Sequence, residues 1–253
     1  MKLSVIVIAK NAEPTIRRCL ESVAWADEIV ALDSGSTDRT VELCRELGAA
    51  VRVTTDWPGH GPQKNRALAL AGGDWVFSID ADEWVTPELR AALERAMASP
   101  GGNVAFRMPR RSSFCGRFMR HSGWWPDYVT RLFRRGSARF SDDLVHERLI
   151  VEGPNGTLEA PLLHEAVADL DQMLAKMNAY STASAVSLHR SGRRARFAGA
   201  LLHGWWAFVR TYVVRAGFLD GREGLMLAIA NAEGSYYRYL KLMRLCDRKG
   251  DEG

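Results

Sequence analysis

Trp75-Val76-Phe77-Ser78-Ile79-Asp80-Ala81-Asp82 decides the fold. Five residues dominated by bulky apolar side chains, then two carboxylates, read as a buried strand that surfaces at an acidic end. Three similar runs precede it, at residues 3–8, 28–32 and 51–54. Between the strands lie helix patterns. Pro14 opens one, with Ile16, Cys19, Leu20 and Val23 spaced along a single face. Ser36-Thr37-Asp38 offers caps for a second over 36–47, Gly61-Pro62 precedes a third over 63–71, and Thr86-Pro87 starts a fourth through 98. Alternating strands and helices predict an α/β fold, a mainly parallel sheet with helices on both faces. Ligands of such sheets bind beyond the carboxyl ends of the strands, where the acidic clusters at 33–38 and 80–83 fall.

From about residue 103 the pattern changes. Short strands are expected at 104–108, 128–133, 144–151 and 158–164, with a turn at Pro154-Asn155-Gly156. Helices follow at 169–190, 197–219 and 222–246.

The chain has 253 residues, 47% hydrophobic and 25% charged, which excludes a disordered or collagen-like chain. Its four cysteines, at 19, 44, 115 and 246, lack metal-ligand spacing and fit a reducing cytosol better than a disulfide framework. The net charge of +4 hides an asymmetry: 11 Lys and Arg against 15 Asp and Glu in residues 1–100, but 23 against 15 in residues 101–253. The second part is therefore expected to face something anionic. The opening apolar run is too short for a secretory signal.

Three constellations carry chemistry. In an extended segment Asp80 and Asp82 point to one side, so both carboxylates could hold a hard divalent cation against a diphosphate; a solvated acidic turn is the alternative. Asp33 can accept from a ribose hydroxyl or a base N–H, and Ser36 to Asp38 can cap the next helix. Gln63-Lys64-Asn65-Arg66 at a helix start suits an anion or is simply a surface helix start.

In this order and spacing, and with the opening Ser4-Val5-Ile6-Val7-Ile8-Ala9-Lys10-Asn11, the three resemble the inverting family-2 glycosyltransferases with the GT-A fold, over about residues 1–165. The resemblance implies that Ala9, Asn11, Asp33 and Ser34 lie at the nucleotide, that Lys64 approaches the diphosphate, and that Asp80, Ala81 and Asp82 bind the donor. Asp82 would be the more direct ligand of Mn²⁺ or Mg²⁺, with Asp80 and His164 beside it. Many members carry two acidic residues where this chain has Asp33-Ser34, so the nucleotide is not fixed by the match. The whole chain is more narrowly similar to bacterial lipopolysaccharide-core β-glucosyltransferases, through Asp33–Asp38, Asp80–Glu83, Val145-His146-Glu147, residues 176–181 and Gly217-Phe218-Leu219-Asp220-Gly221. That implies a UDP-sugar donor and a lipid-linked acceptor.

Inverting transfer needs a base for the acceptor hydroxyl. Asp142, Asp143 and Glu147 are candidates. The family's motif would place the base at Glu147, with Asp143 second; a local ion pair with Arg131 or Arg148 is the alternative for Glu147. His146 could orient that glutamate or touch the acceptor. Trp124-Trp125 reads as a sugar platform or as packing under a loop. The expected organisation is a nucleotide-sugar half over 1–100, an acceptor half over 101–168 and a helical region over 169–253. Residues 197–219 are apolar but interrupted by His203, Arg210 and Arg215, and the basic residues 190–196 precede them. An interfacial helix on the inner leaflet of the cytoplasmic membrane fits better than a span; a homodimer interface is the other reading. A cytoplasmic, peripheral enzyme follows, with no nucleic-acid partner. A sugar-nucleotide pyrophosphorylase is disfavoured because Ala9-Lys10-Asn11-Ala12-Glu13 lacks a glycine-rich phosphate loop. A non-catalytic membrane or nucleic-acid binder is the third class.

Overall fold

The computed structural model describes residues 1–142 and 148–250. The chain divides into two compact units, Met1–Arg110 with Asp127–His164, and Arg111–Pro126 with Glu165–Gly253. Residues 111–126 thus group with the C-terminal helices.

In the first unit β1 (Leu3–Ala9) lies between β2 (Glu28–Asp33) and β4 (Trp75–Asp80), and β3 (Ala50–Val53) borders β2; these four strands are parallel. β5 (Glu83–Trp84), β6 (Ala105–Phe114), β8 (Asp127–Arg134) and β12 (Leu162–Val167) extend the sheet in the order β3-β2-β1-β4-β8-β6-β12-β5. β8 runs antiparallel to β4 and β6, and β12 antiparallel to β5, so the sheet is mixed.

Alternation along β1 sends Leu3, Val5 and Val7 to one face and Ile6 and Ile8 to the other. The first face is covered by α1 (Glu13–Ser22), α2 (Thr40–Glu46) and α4 (Pro87–Ala98) through Ile16, Leu20, Leu43, Leu89 and Leu93. The second is covered by α3 (His60–Leu70) through Ala67. Burying both faces explains why β1, β2 and β4 are nearly continuous apolar runs.

Several boundaries differ from expectation. α2 starts at Thr40, after the cap residues 36–38, and Asp38 accepts from the Thr40 N–H (3.0 Å) and from the Glu13 N–H (3.1 Å), tying the turn to α1. α3 begins three residues early; Pro62 sits in its first turn, where a missing N–H costs nothing. The expected turn at 154–156 is β11 (Asn155–Thr157), parallel to β6. The expected strand over 144–151 appears as β10 (Leu149–Val151), antiparallel to β9 (Ala138–Phe140); residues 143–147 lie outside the described residues.

In the second unit, β7 (Arg117–Phe118) returns along β6. Asp169 caps α5 (Leu170–Arg190), accepting from the Gln172 N–H at 2.7 Å. The single helix expected over 197–219 is α6 (Phe197–Val209), then a wide turn over Arg210–Val214 and a 3-10 turn over Gly217–Asp220; α7 (Gly221–Gly250) follows. Among the described residues no helix is long and apolar enough to cross a membrane.

Candidate active site

The parallel register builds the site. Ala9 pairs with Asp33 and Ile8 with Asp80, so the two acidic strand ends flank the end of β1 at one edge of the sheet. Asp33 is buried, and its Oδ1 accepts from the N–H groups of Gly35 and Ser36, both at 2.9 Å, while the Ser36 hydroxyl binds Oδ2. The Asp33 carboxylate therefore shapes its own loop. Ser34 donates its N–H to the Ala9 carbonyl (2.9 Å) and accepts from Gln63 Nε2 (3.0 Å). Asn11 adopts a left-handed φ of 49°. Asn tolerates this conformation, and its Oδ1 accepts from the Thr37 N–H at 2.8 Å, which clips the loop after β1 to the loop after β2.

Asp80 and Asp82 have different partners. β4 ends at Asp80 and the chain turns at Ala81, so strand alternation no longer applies. Asp80 faces inward: Oδ1 meets Lys64 Nζ at 2.9 Å and Oδ2 meets the Arg131 guanidinium. Its N–H donates to Glu83 Oε2 at 3.0 Å. Burial opposes ionisation of Asp80, but Arg131 and Lys64 outweigh it and hold the carboxyl well below the usual carboxylate range. Arg131 also meets the fully buried Glu83 at 2.6 Å; burial disfavours its charge, and Asp80 and Glu83 more than restore it. Arg110 joins from β6, 3.5 Å from Glu83 and 2.7 Å from Asp127.

Asp82 is half-buried, with 36% of its side chain exposed against 29% for Asp80. Its Oδ2 stands 3.6 Å from His164 Nε2, because β5 and β12 pair with His164 opposite Glu83. Two ligands at about 2.1 Å from one divalent ion stand roughly 3–4 Å apart, so Asp82 and His164 fit a shared cation. An imidazole and a carboxylate suit Mn²⁺, and two protein ligands leave positions for phosphate oxygens and water. Among the described residues no group of three or more His, Cys, Asp or Glu forms a closed cage. Asp80, with both oxygens on cations, does not fit as a ligand in this arrangement.

Sequence reasoning did not single out Arg131 as a partner of Asp80, nor Glu83 and Arg110. A charged residue between Thr130 and Leu132 in an apolar strand was the available signal. Trp124, in the second unit, packs edge-on against Phe114 with ring centres 6.0 Å apart; Trp125 is half-buried. Asp143, His146 and Glu147 lie outside the described residues.

A mixed sheet whose parallel half ends in two acidic loops, with a carboxylate–imidazole pair beside them, is the frame of a GT-A transferase. Residues 4–150 match the Glycosyl transferase family 2 model, and the chain belongs to that family; it is a glycosyltransferase. It is 32% identical to the lipopolysaccharide core biosynthesis glycosyltransferase LpsC of Rhizobium meliloti strain 1021, over 94% of this chain and 93% of that protein. It is 30% identical to an uncharacterized glycosyltransferase of Rickettsia bellii strain RML369-C, over 96% and 87%. Among solved structures, residues 1–349 of Staphylococcus aureus TarS share the fold with a TM-score of 0.50, covering 99% of this chain and 92% of that one at 17% identity.

Proposed function

We propose that the protein moves a sugar, glucose from UDP-glucose, onto a lipid-linked saccharide of the cell envelope such as the lipopolysaccharide inner core, with inversion and with Mn²⁺ or Mg²⁺. The juxtaposition of Asp82 and His164 beside the Asp33 and Asp80 strand ends carries this reading. The likeness to LpsC supports the acceptor class.

Asp82 and His164 would hold the cation, which when bound neutralises charge on the departing diphosphate. The Lys64–Asp80–Arg131 chain keeps the turn at 80–82 in place, with Asp82 beside His164. The loops at Ala9–Asn11 and Asp33–Ser34, clipped together by Asn11, would receive the nucleoside. In the transfer the acceptor oxygen bonds to the anomeric carbon as the bond to the nucleoside diphosphate breaks. Glu147, with Asp143 second, takes the hydroxyl proton, and His146, Trp124 and Trp125 serve the acceptor.

Membrane contact explains an inverted pattern on α6. Its small residues Ala200 and Gly204 are buried, and a methyl group on Gly204 would come within 3.2 Å of the Ala232 carbonyl of α7. Its large residues Phe197, Leu201, Leu202, Trp205 and Trp206 are each more than half exposed. Exposed Arg193, Arg194, Arg196 and Arg210 flank that surface. Apolar and indole groups beside arginines suit an anionic interface.

The test is release of UDP from UDP-glucose by the purified protein with a core acceptor that lacks its terminal sugar. Turnover that needs Mn²⁺ or Mg²⁺ and is lost in Asp82→Ala supports the reading. Equal turnover by Asp82→Ala contradicts it.

A further inference from the structure

A second anion-binding feature stands in the second unit, built from segments far apart in sequence. Phe114 pairs with Arg117 across the two-residue turn Cys115-Gly116, whose φ values of 48° and 82° are those of a hairpin turn. One strand residue on, Ser113 pairs with Phe118, and two further along come Arg111 and Arg120. The Arg111 guanidinium lies over the Phe118 ring, 5.2 Å from its centre. Against this hairpin comes the start of α7. Gly221 has a φ of 68° and its missing side chain leaves room for Arg117; a Cβ there would meet that guanidinium at 3.4 Å. A Cβ on Gly224 would meet the Gly217 carbonyl at 1.9 Å, so the helix start packs hard on the turn before it.

The result is a shallow, open surface depression of about 580 Å³ lined by Arg111, Arg117, Arg120, Arg222, Phe118 and Glu223, among others. Four guanidiniums meet one carboxylate there. Glu223 pairs with Arg222 at 2.5 Å and with Arg117 at 3.7 Å. Among the described residues no carboxylate is in ion-pair range of Arg111 or Arg120. Asp220, almost wholly buried, stands beside them, 3.3 Å from His121 Nδ1. Its oxygens accept from the N–H groups of Arg120 (3.0 Å) and His121 (2.9 Å) and from the Ser122 hydroxyl (3.2 Å), which pins the Arg120 segment beside Gly221. Four guanidiniums against the carboxylates of Glu223 and Asp220 leave a positive excess that suits a multivalent oxyanion, which guanidinium forks bind with two hydrogen bonds each.

We propose that this cleft binds a phosphate ester, and that Asp220 is its positioning residue. A lipid carrier of that phosphate is favoured by the chain itself. Phe218 and Leu219, 50% and 55% exposed, lie in the turn that leads directly to Arg222. An amphiphile could seat its phosphate among the arginines with its apolar part against those two side chains. The inference rests on the second unit alone.

The test compares three forms of the whole protein: the natural chain, Arg120→Gln/Arg222→Gln, and Arg45→Gln/Arg95→Gln, which removes equal charge from exposed helix positions of the first unit. Thermal melting confirms that each is folded. Co-sedimentation with phosphatidylcholine vesicles that carry phosphatidic acid should weaken about tenfold or more in the cleft variant and much less in the control. Calorimetric titration with inorganic phosphate separates the sources. Phosphate binding that depends on the cleft arginines, with no gain from vesicles, supports the site and assigns it to a soluble phosphate. Equal weakening in both variants, or no dependence on the cleft arginines with either probe, overturns the proposal. All readouts are of binding, so failure here leaves the donor-site reading of the first unit untouched.

Discussion

Asp82 Oδ2 stands 3.6 Å from His164 Nε2, while Asp80, two residues earlier, is turned inward onto Lys64 and Arg131. The two carboxylates of one short acidic motif thus have different partners, Asp82 an imidazole and Asp80 two cationic side chains.

If Asp82 and His164 hold the cation, His164→Ala weakens Mn²⁺-dependent transfer about 100-fold while the folded state persists. Raising Mn²⁺ should recover part of the loss in His164→Ala and little in Asp82→Ala, which also removes a charge. Steady-state rates across a Mn²⁺ series check this. Unchanged metal dependence in both variants contradicts the assignment.

Arg131 bridges Asp80 and Glu83, and Glu83 is fully buried. Removing the bridge leaves carboxylates without compensation. Arg131→Met should cost roughly 3–5 kcal/mol of stability, read from urea denaturation. A loss under about 1 kcal/mol, the range of surface pairs, means water reaches these groups freely.

The Asp38 carboxyl is lowered from its ordinary value: partial burial opposes ionisation, and hydrogen bonds from Thr40 and the Glu13 N–H outweigh it. A depressed carboxylate stabilises above its unfolded pKa and loses that contribution as pH falls through the folded value. Asp38→Asn should therefore be less stable than the natural chain near neutral pH, with the gap closing below about pH 4. Melting temperatures across pH measure it; a gap that widens in acid contradicts the assignment.

Cys19 and Cys44 are buried. Burial, then the carboxylates of Glu83, Asp82 and Asp80, pushes the Cys19 thiol well up; burial and Asp33 push Cys44 up to about 11. Near neutral pH iodoacetamide should spare both in the folded protein and reach the partly exposed Cys246 first. Cys115 should follow slowly, since burial, Asp169 and Glu223 raise its thiol too. Mass spectrometry of labelled peptides decides; early labelling of Cys19 means that the packing of α1 on the sheet is wrong.

Trp205 and Trp206 are 63% and 51% exposed, so Trp205→Ser/Trp206→Ser should fold normally. Vesicle binding should fall by about tenfold or more, as each indole removes on the order of 1.5–3 kcal/mol of apolar burial. Unchanged vesicle binding, or a dimer that the substitutions dissociate, favours a protein interface instead.

The parallel half of the fold was legible because β1, β2 and β4 are buried on both faces and read as nearly unbroken apolar runs, with a helix pattern after each. The acidic strand ends were legible for the same reason. The direction of Asp80 was not: alternation assumes an extended chain, and the chain turns at Ala81. His164 could be suspected from its place at a strand end, but its nearness to Asp82 depends on the two-residue strand β5, too short to leave a periodic signal. Arg131 and Glu83 form their pair only once β8 lies beside β4. The arginine cleft unites residues 111–120 with residue 222, a juxtaposition that no local pattern encodes.

The central claim is that the Asp82 edge is a metal-dependent nucleotide-sugar site. Its most direct test is calorimetric titration of the protein and of Asp82→Ala with UDP, GDP, ADP and CMP, each with and without Mn²⁺. The account predicts that UDP binds only with Mn²⁺ and that Asp82→Ala abolishes the heat. UDP binding of equal strength without metal, or in Asp82→Ala, would contradict it.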